Sequence, residues 1–379
     1  MIEITHNQLL NYILNRQGLL TRQPIDSIMD FAPLHATDHT TPYLSLLARI
    51  EDFAWENLAD RLYASRQFYR LRCMRGTIHL IPAAHKQMIR CIYDLREQDT
   101  YREFTEYGIS MDEALELRFF ITEVLQQYGA QSTATIKKLL DPELIFMHED
   151  RYGHQNSSAA PVMHWMWELG LLDSGAGISD WRKKDNHFRL SDDLPPDCED
   201  AKRTAADVSL ARWYFERYAP AAFEDWTWWA GFNVARSRAA FDALQDELVK
   251  VKASGIFENL WLFESNVDSL TASPDSVPEM VRLLPYEDAL TKAYKDTRYR
   301  FYDSYGLAGD VAFSKMGEAY PTIWVDGRII GTWSWKRKAS EPMTVEPFEQ
   351  ITKATRKRLK PEVDRVSHFI DASHILWTT

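Results

Sequence analysis

The sequence predicts an α+β protein in which three helical clusters, each closed by a two-stranded hairpin, precede a carboxy-terminal β-rich subdomain with helices. Three observations carry that expectation. The run FYRLRCMRGTIHLI alternates polar and apolar residues on both sides of Arg75-Gly76, which reads as two strands and a tight turn. The same order of helices followed by a hairpin returns twice. Beyond residue 268 the pattern changes, and TIWVDGRIIGTWSWKRK sets Asp326-Gly327 between two alternating strands, the strongest short-range hairpin signal in the chain.

The first helix is placed by Thr5 and Gln8, which have capping-box spacing, and by the apolar face of Leu10, Ile13 and Leu14. Residues 24–34 read as helical, with Ile25, Ile28 and Phe31 on one side, until Pro33 ends or kinks the element. A third helix begins near Pro42 behind Thr41, and a fourth covers roughly Phe53 to Gln67 before the hairpin. In that hairpin Arg70 and Arg72 project from the same face of one strand. The second copy has an amphipathic helix over 111–127, a turn capped by Ser132, a helix in PVMHWMWELGLL and a second hairpin around WRKKDNHFRL. The third runs from about Asp207 through ARWYFERYAP, FEDWTWWAGF and SRAAFDALQDEL to the strands LVKVKA and NLWLFES. A helical cluster closed by a hairpin has the plan of a winged helix, so three tandem winged-helix units are expected: 1–105, 106–200 and 201–267, followed by the subdomain 268–379. The segment LSDDLPPDCEDAK reads as the linker between the second unit and the third.

In the last subdomain, simple register puts Trp324, Ile329, Trp333 and Trp335 on one face as core, and leaves Lys336, Arg337 and Lys338 at the strand's end. A carboxy-terminal helix with Lys353, Arg356, Lys357, Arg358 and Lys360 extends the basic character.

Charge is distributed unevenly. The 379 residues carry a formal net charge of -11, yet residues 61–90 hold Arg61, Arg66, Arg70, Arg72, Arg75, Lys86 and Arg90 and no Asp or Glu. A basic island in an acidic chain is a candidate polyanion surface, and its plain alternative is a set of arginines solvating an edge strand. The acidic balance argues against a sequence-blind nucleic-acid coat. Cys73, Cys91 and Cys198 are odd in number and lack metal-ligand spacing, so free thiols in a reducing compartment are expected and no disulfide framework. His148, Asp150 and His154 match no established metal site. The start MIEITHNQLLNYIL lacks the features of a signal peptide and no apolar run has spanning length, so a cytoplasmic monomer without membrane contact is expected. No Walker loop, nucleophile elbow or dinucleotide fingerprint is present; no cofactor and no metal are expected, and any catalysis needs only water.

The segments LHATDHTTPYLSLLARI, YRLRCMRGTIHLIPA, WTWWAGF, LLPYEDAL and VDGRIIGTW, in that order from about residue 8 to residue 335, resemble the AlkZ and YcaQ family of winged-helix DNA glycosylases. The resemblance implies three winged-helix units with a β-rich carboxy-terminal part, and hydrolysis of the N-glycosidic bond of bulky alkylated purines, interstrand crosslinks included. The family's catalytic motif is a glutamine, one residue, then a glutamine or aspartate, just before the helix that starts at Pro-Tyr-Leu. Here that place holds His35, Ala36 and Thr37, with Asp38 one residue further on.

A purine alkylated on N7 is already cationic and leaves readily, so the protein's tasks are to position water and to tolerate an oxocarbenium-like sugar. A neutral imidazole at His35 accepts a hydrogen bond from that water, the Thr37 hydroxyl holds the same water or a phosphate, and Asp38 is the electrostatic partner for the cation. The plainer role of His35 and Asp38 is capping near a helix start. For DNA contact the candidates are Arg70, Arg72 and Arg75 with Thr77 and His79 on the first hairpin, Lys336, Arg337 and Lys338, and Arg49 on the following helix, whose alternative is an internal ion pair. Two functions follow: a monofunctional glycosylase acting on double-stranded DNA, alkylated or crosslinked, or a non-catalytic DNA-binding protein of the same architecture that senses lesions or regulates.

Overall fold

The computed structural model describes residues 1–93, 108–145, 147–149, 155–175, 178–184, 187–193, 196, 198–253, 257–301, 311–315 and 317–378. Among these it is a mixed α+β protein whose contacts gather into two compact units. One comprises residues 1–55, 74–77 and 207–379, the other residues 56–73 and 78–206.

In the first unit the opening helix His6–Arg16 carries the expected capping box, with the Thr5 side chain accepting from the Gln8 amide and the Gln8 side chain returning to the Thr5 amide. Residues Ile25–Phe31 wind as a 3-10 helix rather than an α-helix, with Ile28 and Phe31 buried. The helix Thr41–Arg49 begins at the expected proline, whose missing amide donor costs nothing in a first turn. Further on, the helices Phe223–Ala230 and Val234–Asp242 lead to the antiparallel strands Leu248–Ala253 and Phe257–Phe263, and Ile2–Ile4 adds a parallel third strand.

The carboxy-terminal part of this unit is a five-stranded sheet in the order Val281–Leu284, Thr322–Val325, Arg328–Trp335, Met343–Pro347, Ile375–Trp377. Val325 pairs with Arg328, so Asp326 and Gly327 form a two-residue turn, both at positive φ (53° and 80°), as the Asp-Gly pair requires. Trp324, Ile329 and Trp333 are buried, so the tryptophans are core rather than stacking platforms. Trp324 meets Phe301 with ring centroids 5.0 Å apart, and Phe301 meets Tyr294 at 5.8 Å. Aromatic pairs at such separations add about 0.5–1.5 kcal/mol each beyond the area they bury.

The second unit is built on the helix Met111–Tyr128, capped reciprocally by Ser110 and Glu113. Its Ala114, Leu117, Ile121 and Leu125 follow helical spacing and pack with Ile136, Val162, Met163 and Met166 of the helices Thr133–Leu139 and Ala159–Glu168. Ser132 caps the helix Thr133–Leu139 as expected. Strands Leu172–Ser174 and His187–Leu190 pair antiparallel, so HFRL is a strand as expected but its partner comes from before WRKK rather than from within the expected run, and Gln131–Ser132 joins them.

One expectation is overturned here. Cys91 and Cys198 are joined by a disulfide across 107 residues of sequence, and only Cys73 is a free thiol. Spacing alone gave no hint of the pair, because the fold and not the chain brings the two together. No helix among the described residues is long and apolar enough to cross a membrane. Asp150 and His154 lie outside the described residues.

Candidate active site

The segment before the Thr41–Arg49 helix is extended at Leu34–His35 and then turns sharply. Asp38 shapes the turn: its carboxylate accepts from the Thr40 amide at 3.0 Å and the Thr40 hydroxyl at 2.8 Å, and it is ion-paired with Arg337. Both oxygens are therefore committed. His35 is 4% exposed, whereas Thr37, two residues on, is exposed.

The residues that surround this loop come from a segment some 250 positions later. Thr41 donates its hydroxyl to the Tyr286 carbonyl at 2.8 Å, which ties the helix start to the run LLPYEDAL. At the other end of the helix, Arg49 is fully buried and grips Asp288 with both terminal nitrogens, at 2.8 and 2.7 Å, while Ser45 donates to the same carboxylate at 2.7 Å. Between these two anchors stands Glu287. Its backbone is left-handed, with φ 56°, a conformation rare outside glycine, asparagine and aspartate. The strain is held by a reciprocal pair: the Glu287 amide donates to the Ala319 carbonyl at 2.9 Å, and the Ala319 amide donates to Glu287 Oε1 at 2.6 Å.

The turn aims the Glu287 carboxylate inward, where its Oε2 lies 3.4 Å from His35 Nε2 and 3.0 Å from Lys292 Nζ. Lys292 also donates to the Gly317 carbonyl at 2.9 Å. Its ammonium lies 5.1 Å from the centre of the Trp228 ring, and the Arg75 guanidinium lies 3.8 Å from it. Arg75 reaches that ring because Gly231, at φ 74°, has no side chain: a Cβ there would stand 2.8 Å from the Arg75 amide nitrogen. Burial raises Glu287 above the usual carboxylate range, against the opposing pull of Lys292, the Ala319 amide and Arg75. Burial likewise lowers Lys292, with Glu287 working the other way. The result is a line of alternating groups, imidazole, carboxylate, ammonium, indole and guanidinium, buried at His35, Glu287 and Lys292 and half-buried at Trp228 and Arg75.

The expected site residues divide into three sets. His35, Asp38, Arg75 and Arg337 share this unit and these contacts. Arg49 does not face outward: a guanidinium with no exposure and both terminal nitrogens spent on Asp288 is the internal ion pair, and its assignment to DNA contact is corrected accordingly. Thr77 donates to the Met74 carbonyl at 2.9 Å and closes the hairpin turn. His79 is buried, its Nδ1 3.4 Å from Cys73 Sγ. Lys336 pairs with Glu341 at 3.4 Å, and Lys338 is exposed.

The basic island is also different from its sequence. Arg72 meets the buried Glu168 at 2.8 Å, Lys86 meets Asp173 at 3.0 Å and Asp193 at 3.3 Å, Arg90 meets Asp173 at 3.3 Å, and Arg66 pairs with Asp192. Four of the seven cations are thus neutralised by carboxylates from later in the chain, and the expectation of a free cationic clasp is corrected. Arg70 has no carboxylate partner among the described residues. Sequence reasoning missed Glu287, Lys292 and Trp228. The one available signal was the acidic pair Glu287-Asp288 directly after an apolar strand and a proline, in a segment already singled out. Among the described residues no group of three or more His, Cys, Asp or Glu side chains is placed to hold a metal.

A family model described as DNA glycosylase AlkZ-like matches residues 29–369. Among solved structures, the chain is similar to the Streptomyces sahachiroi DNA glycosylase AlkZ, with a TM-score of 0.69 and 18% identity over 100% of both chains. No curated protein matches.

Proposed function

The chain belongs to the AlkZ-like DNA glycosylase family, and from that premise we propose that it is a monofunctional glycosylase that hydrolyses the N-glycosidic bond of bulky alkylated purines in double-stranded DNA, alkylated or crosslinked. The helical clusters and their hairpins would serve as three winged-helix units, divided near residues 105, 200 and 267, with the β-rich part behind them. One observation carries this reading: the residue standing where the family's first catalytic glutamine is expected, His35, is buried against a carboxylate.

The roles follow from that placement. The exposed Thr37 hydroxyl and the imidazole of His35 hold the attacking water between them, and the cationic base departs with the electrons of its glycosidic bond. Arg70, half-buried and without a carboxylate partner among the described residues, is the first-hairpin cation best placed to meet a phosphate; Arg72, Arg75, Lys336 and Arg337 add positive charge through pairs or stacking contacts already formed, and Lys338 adds it as an exposed side chain. The second reading, DNA binding without catalysis, draws on Asp38, whose carboxylate is taken by Thr40 and Arg337 and is not offered to a sugar cation.

The test is release of the base from a duplex bearing a single bulky N7 adduct, scored as abasic sites. The parent protein is expected to release it, and His35→Ala to lose about a hundredfold or more in rate with unchanged duplex affinity. Undiminished release by His35→Ala removes that residue from the chemistry. Tight, salt-sensitive binding with no abasic product from any lesion of a panel establishes the non-catalytic reading instead.

A further inference from the structure

We propose that Glu287 is the positioning residue of this site: its carboxylate holds the His35 imidazole with the proton on Nε2 and balances the imidazolium formed when His35 takes a proton from the attacking water. The proposal rests on the glycosylase reading above and assigns the charge partner of the reaction to Glu287 rather than to Asp38.

The geometry favours Glu287 on three counts. First, its Oε2 lies 3.4 Å from His35 Nε2, whereas Asp38 is committed to Thr40 and Arg337 and makes its closest imidazole approach to His39, at 4.0 Å. Second, Glu287 occupies a left-handed backbone conformation that a glutamate adopts only when its surroundings impose it, and here the reciprocal bonds with Ala319 impose it. Strain of that kind is informative when it aims a functional group, and it aims this one at His35. Third, Lys292 Nζ lies 3.0 Å from the same Oε2 and favours its charged form, opposing the burial that on balance raises the carboxyl.

A carboxylate on Nε2 makes that nitrogen the proton carrier and leaves the Nδ1 lone pair as the acceptor. The step then balances. The bond between C1′ and the base nitrogen breaks, with its electron pair leaving on the neutral alkylpurine. Water oxygen bonds to C1′ of the sugar cation, its proton passes to Nδ1 of His35, and the imidazolium later gives a proton to solvent. Glu287 keeps its charge throughout, with Oε1 on the Ala319 amide and Oε2 between Lys292 and His35. It does not touch the sugar, which is why it is a positioning residue.

The experiment compares the full-length parent with Glu287→Gln, Glu287→Asp and the double variant His35→Ala/Glu287→Gln. Base release is followed under single-turnover conditions between pH 5 and 8.5, and the His35 tautomer is read from its ring nitrogen-15 shifts. Groups facing Glu287 in that range are His35, Lys292, Arg75 and Tyr286. Glu287→Gln is expected to slow release about a hundredfold without weakening duplex binding, to lose the preference for the Nε2 proton, and to change the acid limb of the rate profile. The double variant is expected to be no slower than His35→Ala, because the two residues act as one unit. Glu287→Asp keeps the charge, tolerates a positive φ and is expected to recover part of the rate; it also carries the test should the glutamine variant fail to fold. Release at the parent rate by Glu287→Gln, an unchanged tautomer, or multiplicative losses in the double variant overturns the assignment alone. A parent protein that releases no base from any lesion overturns the glycosylase reading itself, and this role with it.

Discussion

Two charged regions of the molecule look alike in composition and differ in how their charges are spent. Around the first hairpin, Asp173 is shared by Lys86, Arg90 and Arg189, at 3.0, 3.3 and 3.5 Å, so each cation has substitutes. Around the loop that carries His35, each charge has one dedicated opposite: Asp288 for Arg49, and Glu287 for Lys292. A shared network tolerates the loss of one member. A dedicated buried pair does not, since removing one partner leaves the other uncompensated in a medium that solvates it poorly.

The largest expected effect tests that contrast directly. Arg49→Met strands the Asp288 carboxylate at zero exposure and is expected to destabilise the protein by about 3–5 kcal/mol, read from denaturant midpoints. Adding Asp288→Asn to that variant is expected to restore a substantial part. Lys86→Met is expected to cost less, about 1–3 kcal/mol, because Arg90 and Arg189 remain on Asp173. Equal losses from Arg49→Met and Lys86→Met would break the comparison.

A smaller effect is expected on DNA affinity, and it sorts the hairpin's cations. Arg70→Ala is expected to weaken duplex binding evenly across sequences and to lower the slope of log affinity against log salt by about 1. Arg72→Ala is expected to act through stability instead, since it removes the guanidinium 2.8 Å from Glu168, whose side chain is 3% exposed. Titrations at three salt concentrations with both variants separate a phosphate contact from an internal one.

Much of the fold was legible because its signals are local. A capping box needs four consecutive residues, a proline start needs one, and the Asp-Gly turn needs two with the right backbone freedom; Thr5–Gln8, Pro42 and Asp326-Gly327 all formed as expected. The site was legible only in part, because its loop is local and its partners are not. His35 stood out from its place before a helix, but Glu287 and Lys292 arrive from more than 250 residues away. The charge island misled for the same reason. Residues 61–90 contain no acid, yet Glu168, Asp173, Asp192 and Asp193 fold back onto them, and two of those acids lie in a segment that reads as a linker. Cys91 and Cys198 repeat the lesson at 107 residues' separation.

The smallest effect belongs to a third kind of charge, the exposed pair. Arg358 donates to both oxygens of Asp326, at 2.7 and 2.6 Å, across the tightest turn of the five-stranded sheet. That bond is the main reason Asp326 titrates below the usual carboxylate range. A carboxylate with a lowered folded pKa stabilises the fold fully above its unfolded pKa of about 3.9, and the contribution fades as pH falls through the folded value. The Arg358 side chain is 46% exposed, so solvent and salt screen the pair and its worth is under about 1 kcal/mol. Arg358→Ala is therefore expected to lower the unfolding midpoint slightly at pH 7, to show a difference that shrinks progressively as pH falls below about 3.9, and to show a smaller difference at pH 7 in high salt. A difference that persists in acid would place the contribution in packing of the arginine stem against the sheet rather than in its charge.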